Sequence, residues 1–204
     1  MVFPAVFLTI AVWQFIPRAG GPGAFTPIAG GSPYEVPTSS PTAKIIDPVS
    51  QFKDRITKKN FGQYITPKKS PVSPEKFSGY HTGADVEYED VTDDVPVVAV
   101  ANGQVVASKY ASGYGGVMVI RHVIEGRELF VVYGHLRATS MLPVDRQVET
   151  GEQIGFLGTG YSKETDGERR HLHFGVALKN SILGYVTSTS LLNAGWIDPL
   201  SLYK

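Results

Sequence analysis

Five histidines carry most of the near-neutral acid–base and nitrogen-ligand capacity of this chain: His81, His122, His135, His171 and His173. There is no cysteine. Thiolate zinc sites, iron–sulfur sites, cysteine nucleophiles, disulfide scaffolds and thioether lipid anchors are therefore excluded, and any metal must be held by His, Asp or Glu. In His81-Thr82-Gly83-Ala84-Asp85 the spacing of four is even, so on a strand the imidazole and the carboxylate share a face. Such a pair suits a divalent ion, although alone it more often means a surface hydrogen bond. In His171-Leu172-His173-Phe174 the two imidazoles, two residues apart, also share a strand face, about 6 to 7 Å from each other. Leu172 and Phe174 then turn to the core. His135 closes the run Tyr133-Gly134-His135-Leu136, and strict alternation puts it on the face of Val131 and Tyr133. His122 alternates with Ile120 and Ile124 and reads as a hairpin residue beside, but not in, a site.

The elements that must position these groups are strands. Val95–Ala101 is a β-rich run, and Asn102-Gly103 predicts a tight hairpin into Gln104–Ser108. Val117–Val123 should pair with Arg127–Gly134 through a Glu125-Gly126 turn. Gln153–Leu157 and His171–Leu178 are two further strands. No long stretch has helical period, and 22 glycines with 14 prolines suit a turn-rich chain. The expected fold is all-β, mainly antiparallel, over residues 73–204.

The 204 residues suffice for one ordinary domain and a tail. Apolar residues make up 42% and charged ones 19%, a globular balance that excludes disorder of the whole chain. Nineteen basic side chains cancel nineteen acidic ones, so the basic field that nucleic-acid binding draws on is absent and no nucleic-acid partner is expected. Residues 1–16, MVFPAVFLTIAVWQFI, carry no charge and read as a signal-like segment or, in the absence of a clear cleavage site, an uncleaved membrane anchor. As a helix they would span about 24 Å, slightly short of a bilayer core. Residues 17–43 are rich in Pro, Gly, Ser and Thr and read as a linker. Residues 44–72 hold seven basic residues against Asp47 and Asp54 and read as a solvated basic arm. The stretch from Ile45 to Ile56 is expected to hold a short helix packed on the domain.

Taken together, His81-x-x-x-Asp85, Tyr-Gly-His135-Leu and His171-x-His173 resemble the lysostaphin-type, LytM-like zinc endopeptidases of peptidoglycan. The surrounding words are similar too: Pro96 through Gly103, Gly113-Tyr-Gly-Gly116, Gly151-Glu-Gln-Ile-Gly155, Gly158-Thr-Gly160 and Trp196-Ile-Asp-Pro199. The resemblance covers about Phe77 to Leu200. It implies a zinc ion held by His81, Asp85 and His173, with His135 and His171 as the catalytic pair. It further implies a peptidoglycan peptide as substrate and an extracytoplasmic place in the cell envelope, secreted or anchored through residues 1–16. Two neutral imidazoles and a carboxylate leave one tetrahedral position open, as catalytic zinc sites require. Sequence leaves open which of His135 and His171 is the base. The alternatives are a non-catalytic relative that activates another wall hydrolase, or a wall-binding module. Three departures touch the rim of the cleft, one of them Asp94-Val95 before Pro96, where the family often has a glycine turn. Glu87, Glu89, Asp90, Asp93 and Asp94 follow Asp85 without a basic residue, and are read as solubilising surface or as a lure for a cationic amine. The loop Ser162–Arg170 is more charged than the family's small-residue loop.

Overall fold

The structure is a computed structural model that describes residues 45–204. The expected anchor, 1–16, and linker, 17–43, lie outside the described residues. Twelve strands follow in chain order: β1 (Tyr64–Ile65), β2 (Gly79–His81), β3 (Gly83–Glu87), β4 (Pro96–Val98), β5 (Gly103–Ala111), β6 (Gly115–Ile124), β7 (Arg127–Leu136), β8 (Gln147–Val148), β9 (Gln153–Phe156), β10 (His171–Ala177), β11 (Tyr185–Val186) and β12 (Trp196–Ile197). One α-helix, α1 (Thr189–Gly195), is capped by the Ser188 side chain, which accepts from Leu191 N. The fold is all-β and antiparallel, as the strand periodicity implied.

The main sheet has the order β12-β10-β7-β6-β5-β8, and β3 adds to the same edge of β10 as β12. Its two faces bury two apolar clusters, set by the period of two. Leu172, Phe174 and Val176 of β10, with Met118 and Ile120 of β6 and Val131 and Tyr133 of β7, pack on one face. Val117, Val119 and Val132 pack on the other, with Tyr114 and Trp196. The β6–β7 hairpin turns through Glu125 and Gly126, at φ 51° and 73°, the two left-handed positions that a two-residue turn needs.

The Asn102-Gly103 hairpin does not form. β4 pairs with β9, and β5 pairs with β6 and β8. Asn102 instead spends its side-chain oxygen on the N–H and hydroxyl of Thr150, tying one loop to another. The dipeptide is a turn signal, but β4 and β5 take other partners.

Residues 45–65, expected as part of a solvated arm, are packed. No helix forms there, yet Ile45, Val49 and Phe52 enter the main cluster and Ile65 is fully buried. Phe52 meets Phe174 edge-on, with ring centroids 5.3 Å apart. The backbone of the segment also runs beside β3: Arg55 O accepts from Glu87 N at 2.9 Å, and Lys59 O from Asp85 N at 3.0 Å. Basic count alone hid the apolar residues between the charges.

Candidate metal centre

β3 and β10 run antiparallel with His173 opposite Asp85. The odd-numbered residues of β10 and of β3 face away from the main cluster, so His171, His173, Asp85 and Glu87 share one face. β2 precedes β3 by a single residue and is held between β1 and β11, with His81 opposite Tyr185. Both backbone groups of His81 are bonded to the segment before it, through Gly62 N and Gln63 O. Gly83 permits the close approach: a Cβ there would stand 2.6 Å from Phe174 O and 2.8 Å from His173 Nε2.

These pairings bring His81, Asp85 and His173 together. His81 Nε2 lies 3.1 Å from His173 Nδ1, His173 Nδ1 lies 3.1 Å from Asp85 Oδ1, and His81 Nε2 lies 3.2 Å from Asp85 Oδ1. All three residues are buried. Ligands about 2.0–2.1 Å from a tetrahedral zinc would stand about 3.3 Å apart, so this nearly equilateral triangle fits such an ion with little adjustment. The donor set fits as well. His81 Nδ1 faces Asn60 O at 3.2 Å, which places its proton there and leaves Nε2 bare toward the triangle.

Asp85 offers one oxygen to the triangle because the other is engaged. Its Oδ2 accepts from the buried Arg169 guanidinium at 2.9 Å and lies 3.4 Å from His171 Nε2. Arg169 also grips Glu87, through Nε at 2.9 and 3.1 Å and a terminal nitrogen at 2.6 Å. Burial alone would raise the pKa of Asp85; its place among His81, His171 and His173 holds it well below the usual carboxylate range.

His135 and His171 stand beside the triangle, their ring centroids 4.1 Å apart. His171 Nδ1 meets Arg169 O at 2.9 Å, so its Nε2 carries the free lone pair. The backbone of Thr165 bonds the His135 ring, and His135 Nδ1 is buried without a partner among the described residues. Burial pushes the pKa of His135 down to about 3 and that of His171 well below the ordinary range, so both rings are neutral near pH 7.

The alternation that put His135 with Tyr133 fails, for a local reason. The β6–β7 register shifts between Gly116 and Val117: Gly116 opposes Leu136 and Val117 opposes Gly134, which leaves His135 as the extra residue. It takes φ 62°. The bulge re-aims the imidazole out of the core and onto the face of His173. His122 stays outside the site. It is buried, 3.0 Å from Asn102 O, and burial lowers its pKa to about 4.

The sequence reading missed three neighbours. Tyr114 packs edge-on against His173, at 5.2 Å, and beside His135, at 5.4 Å, with its buried hydroxyl unpartnered among the described residues. Its place inside the Gly-Tyr-Gly-Gly word was the available signal. Arg169 and Glu168 came from a loop read only as charged. All the histidines but His122, with Asp85, Tyr114 and Glu168, line one cavity of about 340 Å³. Four of the five acidic residues after Asp85 are paired inside the chain. Glu87 pairs with Arg169, Glu89 with Lys58, Asp90 with Arg55 and Asp94 with Arg137.

No curated protein matches the chain. Among solved structures it is similar to LytU, at 26% identity over 72% of this chain and 82% of that one, with a TM-score of 0.47. It is similar to CbpA from L. salivarius REN at 24% identity, over 60% of this chain and 72% of that one, with a TM-score of 0.43. Csd3 from Helicobacter pylori matches at 24% identity over 76% of this chain, with a TM-score of 0.46, and the match spans only 33% of the Csd3 chain. The family model of peptidase family M23 matches residues 79–184, a stretch that begins two residues before His81 and contains Asp85, His135, His171 and His173. The chain belongs to peptidase family M23.

Proposed function

We propose that the chain is a zinc-dependent endopeptidase that hydrolyses peptide bonds in the stems or cross-links of peptidoglycan. The observation that carries this reading is the triangle of donors at 3.1–3.2 Å with two neutral imidazoles beside it in one cavity. His81 Nε2, Asp85 Oδ1 and His173 Nδ1 would hold the ion. Zinc, when bound there, supplies a Lewis acid that polarises a carbonyl and acidifies water.

The remaining steps fall to the chain. His171 Nε2 takes the proton of the attacking water, since its other nitrogen is tied to Arg169 O and Asp85 Oδ2 lies 3.4 Å away to stabilise the imidazolium. His135, stacked on His171 and fixed by the Thr165 backbone, keeps a second lone pair free for relaying that proton toward the leaving amine. The Tyr114 hydroxyl is the neutral donor for the developing oxyanion. Burial and the charge of Asp85 hold its pKa well above the usual phenol range, so it keeps its proton.

The cell envelope is the compartment this activity requires. The expected anchor and linker, residues 1–43, would hold the domain, residues 73–204 with the segment before it, near the wall. Among the described residues no helix is long and apolar enough to cross a membrane. The test is digestion of purified peptidoglycan with mass analysis of the released peptides. Soluble fragments with new amino termini should appear, vanish with a chelator and return with zinc. Intact sacculi after incubation with the zinc-loaded chain would refute the reading.

A further inference from the structure

Glu168 is a buried carboxylate with one oxygen that no hydrogen bond among the described residues uses. The residue is 6% exposed, and its Oε1 is buried without a hydrogen-bond partner among the described residues. Its backbone is fixed from both sides: Thr165 Oγ1 and Tyr161 N donate to Glu168 O, and Glu168 N donates to Thr165 O. The side chain is therefore placed, not adrift, and it lines the same cavity as the metal triangle.

The cationic groups nearby, Lys59, Arg169 and Lys76, act on Glu168 through their charge but make their hydrogen bonds elsewhere. Lys59 lies 2.6 Å from Glu75 and 2.9 Å from the Tyr185 hydroxyl. Arg169 is held by Asp85 and Glu87. Lys76 donates to the Asp166 carbonyl at 2.7 Å. A buried carboxylate oxygen without a hydrogen bond is costly, and native chains seldom keep one without a use. Burial also raises its pKa, the mark of a site that gains by receiving a cation. Lys59 and Glu75 also line the cavity, paired with each other, and one stretch of its wall is apolar. Phe77 stacks on Tyr185 at 5.9 Å, and Ile182 and Leu183 stand with them. A carboxylate and apolar walls together suit an aliphatic stem ending in an ammonium. The cavity, at about 340 Å³, is large enough for one such side chain beside a peptide backbone.

We propose that Glu168 anchors a subsite for a primary alkylammonium group carried by the substrate peptide. The inference deepens the endopeptidase reading and rests on it only for the identity of the molecule that brings the amine. Two side chains could supply that chemistry: a lysine, or a diamino acid whose ammonium has a carboxylate beside it.

The experiment is an NMR shift titration of the zinc-loaded full chain with four small probes. They are the Nα-acetyl methylamides of lysine, Nε-acetyllysine, norleucine and diaminopimelate. At least one of the two amines should bind fivefold or more tighter than norleucine and Nε-acetyllysine. The tighter amine names the source. In Glu168→Gln that preference should fall within twofold, while the melting temperature holds or rises, because an uncompensated buried charge has gone. A Glu168 kept for stability would melt lower instead. Equal binding of amine and norleucine by the wild-type chain overturns the proposal without need of any variant, and so does a preference that survives Glu168→Gln. A preference with no release of peptides from sacculi would end the endopeptidase reading and leave the subsite. Release of peptides with no preference would do the reverse.

Discussion

The division of labour among the histidines rests on which ring nitrogen is tied down. His171 is pinned to Arg169 O through Nδ1 and holds no edge of the donor triangle. His171→Ala should therefore keep about one zinc per chain and lose activity by roughly 10²–10⁴-fold, the range of a removed general base. Metal analysis beside a peptide-release assay separates the two effects; metal lost together with activity would place His171 among the ligands. Tyr114→Phe removes one donor and nothing else, and should lower turnover by about 10²–10³-fold with zinc content unchanged. His122 makes a different prediction. Its pKa is lowered to about 4 in the fold, while the unfolded chain titrates near 6.5. Between those values the unfolded state binds the extra proton, so stability is full above about pH 6.5 and is lost as pH falls toward 4. The loss is on the order of 3 kcal/mol. Denaturant melts at pH 7 and 4.5 should show a smaller acid loss in His122→Gln, which can still donate to Asn102 O, than in the wild-type chain.

Strands carry the site because β3 and β10 set Asp85 against His173 without any loop between them. That much was legible in the sequence, since an even spacing fixes a face whatever the partner strand. The bulge at His135 was not. It depends on β6 and β7 disagreeing by one residue, and a single strand read by alternation holds no record of its neighbour's register. The failed Asn102-Gly103 hairpin has the same origin: a turn word is local, and the choice of β9 over β5 as the partner of β4 is not. The close approach of β3 to β10 can be tested at Gly83. A Cβ there meets backbone, Phe174 O at 2.6 Å, which cannot swing away. Gly83→Ala should cost about 1–3 kcal/mol, as overpacking does, and should weaken zinc binding as Asp85 and His173 part. Gly195→Ala is the matched control. Nothing lies within 4 Å of its would-be Cβ, and its helical place predicts a neutral or slightly stabilising change. Equal zinc affinity in both variants would show that the β3–β10 spacing does not govern the triangle.

At the scale of the molecule, the segment before residue 73 is part of the site's scaffold. Its charges drew a reading of solvated arm, yet three of them have a structural office: Arg55 binds Asp90, Lys58 pairs with Glu89, and Lys59 is buried against Glu75. Because the partners sit some 16 to 35 residues away, the pairing could not be read from either segment alone. The same segment holds two members of the donor triangle from behind. Lys59 O bonds Asp85 N, and Asn60 O fixes the His81 ring. Phe52 locks it in place, fully buried between Phe174 and Tyr203, at centroid distances of 5.3 and 5.2 Å. Phe52→Ala should cost about 3–5 kcal/mol, as large buried aromatics do. For a domain of this size that is a fall in melting temperature of roughly 10 °C. A chain cut to begin at residue 73 should fare worse. It lacks the backbone acceptors for Asp85 and Glu87 and exposes the apolar surface that Ile45, Val49 and Phe52 covered, so it should bind a hydrophobic dye, melt without cooperativity and hold little zinc. A chain beginning at residue 45 should match the full chain in melting cooperativity and zinc content. If the shorter chain instead melts cooperatively and binds zinc as the longer one does, then residues 73–204 suffice, and the contacts from Arg55, Lys59 and Asn60 contribute nothing that the sheet does not already supply.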